Sequence, residues 1–274
     1  MRGWPMANKP FGVMGIVNLT PDSFYDGGRY STVDAALRQI HVCRDAGADI
    51  VDLGAESSRP GSRPVTADEE AARLLPVLMT LRHETPCTVS VDTWRASTAA
   101  LALQQGVGII NDISACKWDP GLLDVLVEYQ PGYVLMHCQG HPRSMQQDPQ
   151  YGDTVADVRA FFERELNVLV RAGLSEDRIV LDPGIGFGKT LQDNLALLNH
   201  IEVLAAFGRP LLVGLSMKSM FGDMLGLPAD GRAAVTQTAT ALLWQKGVFW
   251  HRVHNVAMAV QGLRLAAALG GQPC

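Results

Sequence analysis

The sequence predicts an α/β protein folded as a single-domain (β/α)₈ TIM barrel. Three observations lead there: eight short apolar runs recur along the 274 residues, amphipathic stretches of helical length separate them, and nearly every run ends in a polar residue able to bind or do chemistry. Strands alternating with helices make parallel sheets. Eight repeats with no detectable break in order favour a closed barrel over an open doubly wound sheet, and such barrels commonly use about 250 residues as one unit. Closure brings all eight C-terminal strand ends onto one rim, where enzymes of this architecture keep their active sites.

In chain order, Val13–Val17 leads to Asn18, then to an irregular stretch over Thr20–Ser31 and a helix over Thr32–Ala46 with Ser31 or Thr32 as its start signal. Ile50–Leu53 carries Asp52 and precedes Glu56; after Ala55–Val65, Thr66 and Glu69 stand at capping-box spacing and open a helix over Thr66–Thr85. Thr88–Val91 ends at Asp92 before a helix over Trp94–Gln105, and Val107–Ile110 ends at Asn111 before Gly121–Tyr129. Tyr133–Met136 ends at His137, and the stretch Cys138–Tyr151 separates it from a helix over Thr154–Ala172. Ile179–Leu181 ends at Asp182 and is followed by a helix over Leu191–Phe207. Leu211–Leu215 leads to Ser216 and Lys218, then to Gly231–Lys246; Val248–Trp250 leads through Arg252 to His254 and a last helix over Asn255–Ala268. Gly47, Gly106, Gly173, Gly208 and Gly247 sit where left-handed C-caps would return the chain to the next strand. The barrel spans residues 12–268, between an N-terminal tail, 1–11, and a C-terminal tail, 269–274. The three long irregular stretches all follow strands, so they lie on the catalytic rim.

The composition is 47% hydrophobic and 19% charged, enough apolar material for a large core, and the net charge is −5 with no Lys/Arg run, which argues against nucleic acid as a partner. Cys43, Cys87, Cys116, Cys138 and Cys274 are scattered and form no C-x-x-C pair, against both a disulfide framework and a structural zinc site. No segment approaches the roughly 18 apolar residues of a membrane span, and the first ten residues lack an apolar signal-peptide core. The expectation is a soluble cytoplasmic protein without a membrane partner.

The stretch from Leu181 to Thr190 looks like a phosphate loop but is not one: Pro183 stands where a P-loop needs glycine, and the dinucleotide glycine spacing also fails. It reads as a carboxylate at a strand end followed by a glycine-rich turn that lets backbone approach a flat ligand. Asp92 and Asn111 repeat the pattern on the third and fourth strands. Two carboxylates and an amide converging in one pocket suit a heterocycle with an amidine-like edge. Lys218, Arg252 and His254 follow the last two strands, where such barrels often hold phosphate, and Arg59 and Arg63 lie on the second loop. Arg252 and His254 are two residues apart, hence on one side of an extended chain, a fork and an imidazole suited to phosphate or pyrophosphate. Zinc on His251 and His254, or on His137 and His141, is the weaker reading, because Gly140 and Pro142 deny His141 a helix.

Several stretches then become a signature. Gly15-Ile-Val-Asn18-Leu-Thr-Pro-Asp-Ser-Phe24 with Asp26-Gly-Gly28, and Asp52-Leu-Gly-Ala-Glu56-Ser-Ser-Arg59-Pro-Gly61, closely resemble the first two signatures of dihydropteroate synthases. Asp92-Thr, Asn111-Asp, Met136-His137, Asp182-Pro-Gly-Ile-Gly-Phe-Gly-Lys189, Ser216-Met-Lys218-Ser and Arg252-Val-His254 follow in family order. The resemblance implies a barrel that joins 6-hydroxymethyl-7,8-dihydropterin diphosphate to p-aminobenzoate, releases pyrophosphate, uses Mg²⁺, is a sulfonamide target and works as a homodimer. It places the pterin on Asp92, Asn111, Asp182 and Lys218; the diphosphate on Asn18, Arg59, Arg252 and His254, with Mg²⁺ on Asn18; and p-aminobenzoate beside Ser58, Pro60, Phe187 and Ser219. The catalytic set is Asp92, Asp182, Lys218, Arg252 and His254.

The chain departs from the family pattern at Ser58, Met217, Val235 and Asn255, where threonine, arginine, glycine and aspartate are usual. Those departures motivate one rival, a pterin-binding paralogue with weak or no synthase activity. A corrinoid-linked methyltransferase barrel is a second rival, but it would leave Arg59, Arg252 and His254 without purpose.

Overall fold

The computed structural model describes residues 4–5, 9–20, 32–57, 63–84, 87–141 and 144–270. Eight parallel strands, β1 (Gly12–Asn18), β2 (Ile50–Gly54), β3 (Thr88–Asp92), β4 (Ile109–Asp112), β5 (Gly132–Met136), β6 (Ile179–Asp182), β7 (Leu212–Val213) and β8 (Trp250–Val253), form one sheet in the order β6-β5-β4-β3-β2-β1-β8-β7. A bridge between Leu181 and Leu211 joins β6 to the entrance of β7 and nearly closes the ring. Around it run α1 (Thr32–Asp45), α2 (Ala67–Leu81), α3 (Ala96–Gln104), α4 (Gly121–Tyr129), α5 (Thr154–Ala172), α6 (Leu191–Asn199), α7 (Glu202–Ala205), α8 (Met220–Leu225), α9 (Ala233–Gln245) and α10 (Val256–Gly270). The expected (β/α)₈ barrel is the observed fold.

Local signals account for the boundaries. Thr66 and Glu69 close the expected capping box on α2, and Asp153 caps α5 through the backbone N–H groups of Val155 and Ala156. Gly47, Gly106, Gly173 and Gly247 all have positive φ. The N–H of the next residue reaches back five positions in each case, as in Val107 to Ala102 and Val248 to Leu243, the Schellman arrangement. This corrects two strand boundaries: Val107 and Val248 belong to helix-ending turns, so β4 starts at Ile109 and β8 at Trp250. Arg252 therefore lies inside β8 rather than after it. The expected helix over Leu191–Phe207 is two, α6 and α7, and Lys246 Nζ donates to the carbonyls of Leu198 and Asn199 at the end of the first. The short helix α8, just after Lys218, is too brief to show a hydrophobic period.

Alternation along the strands separates two apolar layers. Outward residues such as Val13, Val17, Val51, Leu53, Val91, Ile110, Leu135, Leu181 and Val213 pack under the helices. Inward residues Met14, Ile50, Ile109, Val134, Val180, Leu212 and Trp250 fill the lower half of the barrel. Trp4, assigned to the N-terminal tail from sequence, joins this plug: it is 5% exposed, its ring centroid lies 5.4 Å from that of Trp250, and its indole N–H donates to the Arg178 carbonyl at 2.7 Å. Two residues further along the same inward stripe the chemistry changes. Ile50 is followed by Asp52, Ile109 by Asn111, Val180 by Asp182 and Trp250 by Arg252. Period-2 alternation thus turns an apolar plug into a polar mouth within two residues.

Candidate active site at the mouth of the barrel

Asp92 and Asp182 are the last residues of β3 and β6, Asn111 is the third residue of β4 and Arg252 the third of β8. Asp182 is 6% exposed and Asn111 4%. The Arg252 guanidinium donates from Nε to Asp52 Oδ2 at 2.7 Å and from Nη2 to Asp92 Oδ2 at 2.8 Å. Asn111 Nδ2 donates to the same Asp52 oxygen at 3.0 Å. The buried Asp52 carboxylate ties β2, β4 and β8 together, and Arg252 extends the network to Asp92 on β3.

The sequence analysis grouped Arg252 with His254 on one side of the chain. In the structure Arg252 turns inward to the two carboxylates, as a largely buried guanidinium must to find counter-charge. His254 is exposed, and its backbone N–H and Nδ1 meet Ser216 Oγ at 3.1 and 2.9 Å. Lys218 is half-buried, with Nζ 4.2 Å from the centroid of the half-buried Phe187 ring. That places the pterin lysine and an aminobenzoate residue of the sequence reading side by side. Ser219 is exposed at the start of α8. Ser58, Arg59 and Pro60 lie outside the described residues. Arg63, also named among the cations, is exposed and pairs with Glu69 at 3.0 Å.

Burial sets the electrostatics. It pushes the Asp182 carboxyl up to about 6, against the Gly184 N–H, Lys218 and Arg252, which favour the anion. Asp92 also rises through burial, opposed by Arg252. Burial lowers the Lys218 ammonium to about 8, against the pull of Asp182. Displaced ionisable groups of both signs around one cavity are a mark of a functional site.

The glycine-rich turn after β6 is held by contacts that its pattern alone did not reveal. Lys189 is 3% exposed. Its Nζ lies 2.9 Å from His137 Nδ1 and donates to the carbonyls of Gly184 at 3.0 Å and Phe187 at 3.1 Å. The lysine that resembled a phosphate ligand therefore clamps the turn that carries Phe187. A Cβ on Gly184, where φ is +65°, would stand 1.9 Å from the His137 carbonyl oxygen. Gly184→Ala should cost about 2–4 kcal/mol of stability, read as a lower urea midpoint at unchanged m-value. A midpoint equal to wild type would refute the close approach.

The ends of the second loop are pinned as well. Arg95 donates to Glu56 at 2.7 Å, to Glu70 at 2.9 Å and to the Val65 carbonyl at 2.6 Å. Two family departures have defined surroundings, which do not themselves account for the change of side chain. Met217, with φ +62°, has its backbone N–H on Thr236 Oγ1 and its carbonyl on Arg232, and Asn255 Oδ1 accepts the N–H of Met258 at the start of α10.

Asn18 ends β1 half-buried. Its amide oxygen is a hard donor of the kind Mg²⁺ takes, and Mg²⁺ commonly binds through one or two protein oxygens plus substrate phosphates and water. Among the described residues no group of three His, Cys, Asp or Glu could hold a metal.

A barrel whose mouth pairs buried acceptors with cations defines an enzyme that takes a proton-rich heterocycle. The chain belongs to the pterin-binding enzyme family, whose sequence model matches residues 14–254. It is 40% identical over 257 residues to the dihydropteroate synthase of Bacillus subtilis (strain 168), spanning 94% of this chain and 88% of that one. The structure of Xanthomonas albilineans dihydropteroate synthase with 4-aminobenzoic acid superposes with a TM-score of 0.90 at 39% identity, covering 97% of this chain and 95% of that chain. Yersinia pestis dihydropteroate synthase with a sulfonamide drug complex gives 0.88 at 38% identity, over 94% and 93%.

Proposed function

We propose that this chain is a dihydropteroate synthase of folate biosynthesis. It joins 6-hydroxymethyl-7,8-dihydropterin diphosphate to p-aminobenzoate, giving 7,8-dihydropteroate and pyrophosphate. The observation that carries the reading is the convergence of Asp182, Asp92 and Asn111 with Arg252 and Lys218 at one barrel mouth. The relative from Bacillus subtilis bears this activity's name, and the superposed structures hold an arylamine or a sulfonamide. Sulfonamides are accordingly expected to compete for the p-aminobenzoate slot.

The chemistry is leaving-group departure followed by amine attack. The methylene C–O bond breaks and its electron pair leaves with pyrophosphate, while electron release from the dihydropterin ring spreads positive charge. Asp182 and Asp92 accept N–H groups of the ring and favour that charge. Lys218 fixes the ring against the Phe187 side of the pocket, and Arg252 and His254 stabilise the departing oxygens. Asn18 would hold Mg²⁺ through its amide oxygen, where the ion would supply charge neutralisation to the leaving group. The nitrogen of p-aminobenzoate then forms the C–N bond and gives up its proton to water or pyrophosphate.

The pH dependence follows with a definite sign. Protonating Asp182, at about 6, removes an acceptor and lowers kcat/KM for the pterin diphosphate as pH falls. Deprotonating Lys218, at about 8, removes a cation and lowers it as pH rises. A profile flat from pH 5 to 9 would contradict these assignments.

The direct test mixes purified protein with the pterin diphosphate, p-aminobenzoate and Mg²⁺. Dihydropteroate should accumulate in step with pyrophosphate. Calorimetric pterin binding without product would instead identify a non-catalytic paralogue.

Among the described residues no helix is long and apolar enough to cross a membrane. The cysteines described, Cys43, Cys87, Cys116 and Cys138, are unbridged, which supports a cytoplasmic setting. Leu242 on α9 and Leu265 and Leu269 on α10 are 55%, 61% and 79% exposed, an apolar face that supports a homodimer.

A further inference from the structure

Asp52 carries no role in the reading so far beyond its contacts, yet it lies at the centre of the pocket floor. We infer that Asp52 is a positioning residue that sets the donor–acceptor order of the pterin pocket, by locking the Asn111 amide and the Arg252 guanidinium to one carboxylate oxygen. The inference rests on the pterin reading proposed above.

Asp52 is wholly buried. Its Oδ2 takes both Asn111 Nδ2 at 3.0 Å and Arg252 Nε at 2.7 Å. An ionised carboxylate can only accept, so whichever amide atom of Asn111 faces it must be nitrogen. What the amide then offers to a ligand is fixed: its oxygen, and the one N–H not spent on Asp52. An unlocked amide could turn over and exchange the two.

The order matters because of the ligand's edge. A dihydropterin presents a ring N–H beside a bare ring nitrogen where its two rings meet, which requires an acceptor next to a donor in one sense only. In the 2,4-dioxo analogue that ring nitrogen carries hydrogen, and the 2-amino group is replaced by a carbonyl. A locked amide therefore has a donor facing a donor. Sites whose buried polar groups are fixed reject such mismatches far better than adaptable ones.

A second observation separates Asp52 from a simple counter-ion of Arg252. Its other oxygen, Oδ1, is buried with no partner, and so is Ser90 Oγ. The two residues pair in register across β2 and β3. Asp52 thus holds Asn111 and Arg252 through one oxygen alone.

The test measures calorimetric affinities of 6-hydroxymethyl-7,8-dihydropterin and its 2,4-dioxo analogue for wild type and Asp52→Ala, which removes the one oxygen that Asn111 and Arg252 share, whereas an asparagine would keep it. Wild type should prefer the pterin, and the substitution should shrink that preference by about tenfold or more. Equal weakening of both ligands, with the ratio unchanged, would overturn the inference, since a merely structural residue would act in that way. Wild type binding neither ligand would sink the pterin reading itself. In case Asp52→Ala does not fold, proton exchange of the Asn111 side-chain amide is followed by NMR in the wild-type protein, assigned with Asn111→Asp. One amide proton should be protected both before and after pterin is added. Free exchange of both in the unliganded protein would overturn the lock.

Discussion

Arg252→Ala should lower kcat/KM for the pterin diphosphate by roughly 30- to 5,000-fold, equivalent to about 2–5 kcal/mol of transition-state stabilisation. The effect has two sources. The departing oxygens lose a guanidinium, and Asp52 and Asp92, which now share it at 2.7 and 2.8 Å, are left as neighbouring buried carboxylates. Without the cation Asp92 should take up a proton near neutral pH, because burial already raises it despite Arg252. The loss should therefore be larger in kcat/KM at pH 6 than at pH 8, because a protonated Asp92 no longer accepts a ring N–H. Turnover near wild type at both pH values would refute the assigned role.

Asp182→Asn should reduce kcat/KM by about 100- to 1,000-fold, the scale of removing a preorganised electrostatic contact to developing charge. The amide keeps an oxygen for the Gly184 N–H, which Asp182 accepts at 2.7 Å, so the turn after β6 stays in place. It cannot match a carboxylate against two ring N–H groups, and it carries no negative charge to favour a cationic ring. Stability should move the other way. A carboxyl pushed up to about 6 by burial is a group whose charged form the fold resists, so neutralising it should leave the thermal midpoint unchanged or raise it. A large loss of both activity and stability would instead mark Asp182 as structural.

The apolar periods and the glycine punctuation carried most of this fold. Glycine with a following apolar residue ended helices at Gly106–Val107 and Gly247–Val248, and only the reach of that signal, one residue into the expected strand, shifted β4 and β8. The inward polar stripe was equally legible, because Asp92, Asn111, Asp182 and Arg252 each fall two residues beyond an inward position of their strand. What stayed hidden depends on partners far away in sequence. Asp52 meets residues 59 and 200 positions distant, and the Lys189 ammonium is spent on backbone carbonyls and His137 rather than on a ligand. The end of α6 is met by Lys246, more than forty positions beyond it, with Nζ 2.9 Å from the Asn199 carbonyl. Periodicity is local and cannot report such contacts. Met217 illustrates the converse: the sequence shows a missing guanidinium, while the structure shows Arg232 and Thr236 holding that backbone from the following helix.

The account centres on a ring bound by acceptors and a phosphorylated tail bound by cations within one barrel mouth. A crystal structure with the oxidised, unreactive 6-hydroxymethylpterin diphosphate tests it most directly. The ring edge should lie within hydrogen-bond distance of Asp182, Asp92 and Asn111, with the diphosphate directed toward Arg252 and His254. A pterin seated elsewhere, or one reversed so that its phosphates face Asp182, would contradict it.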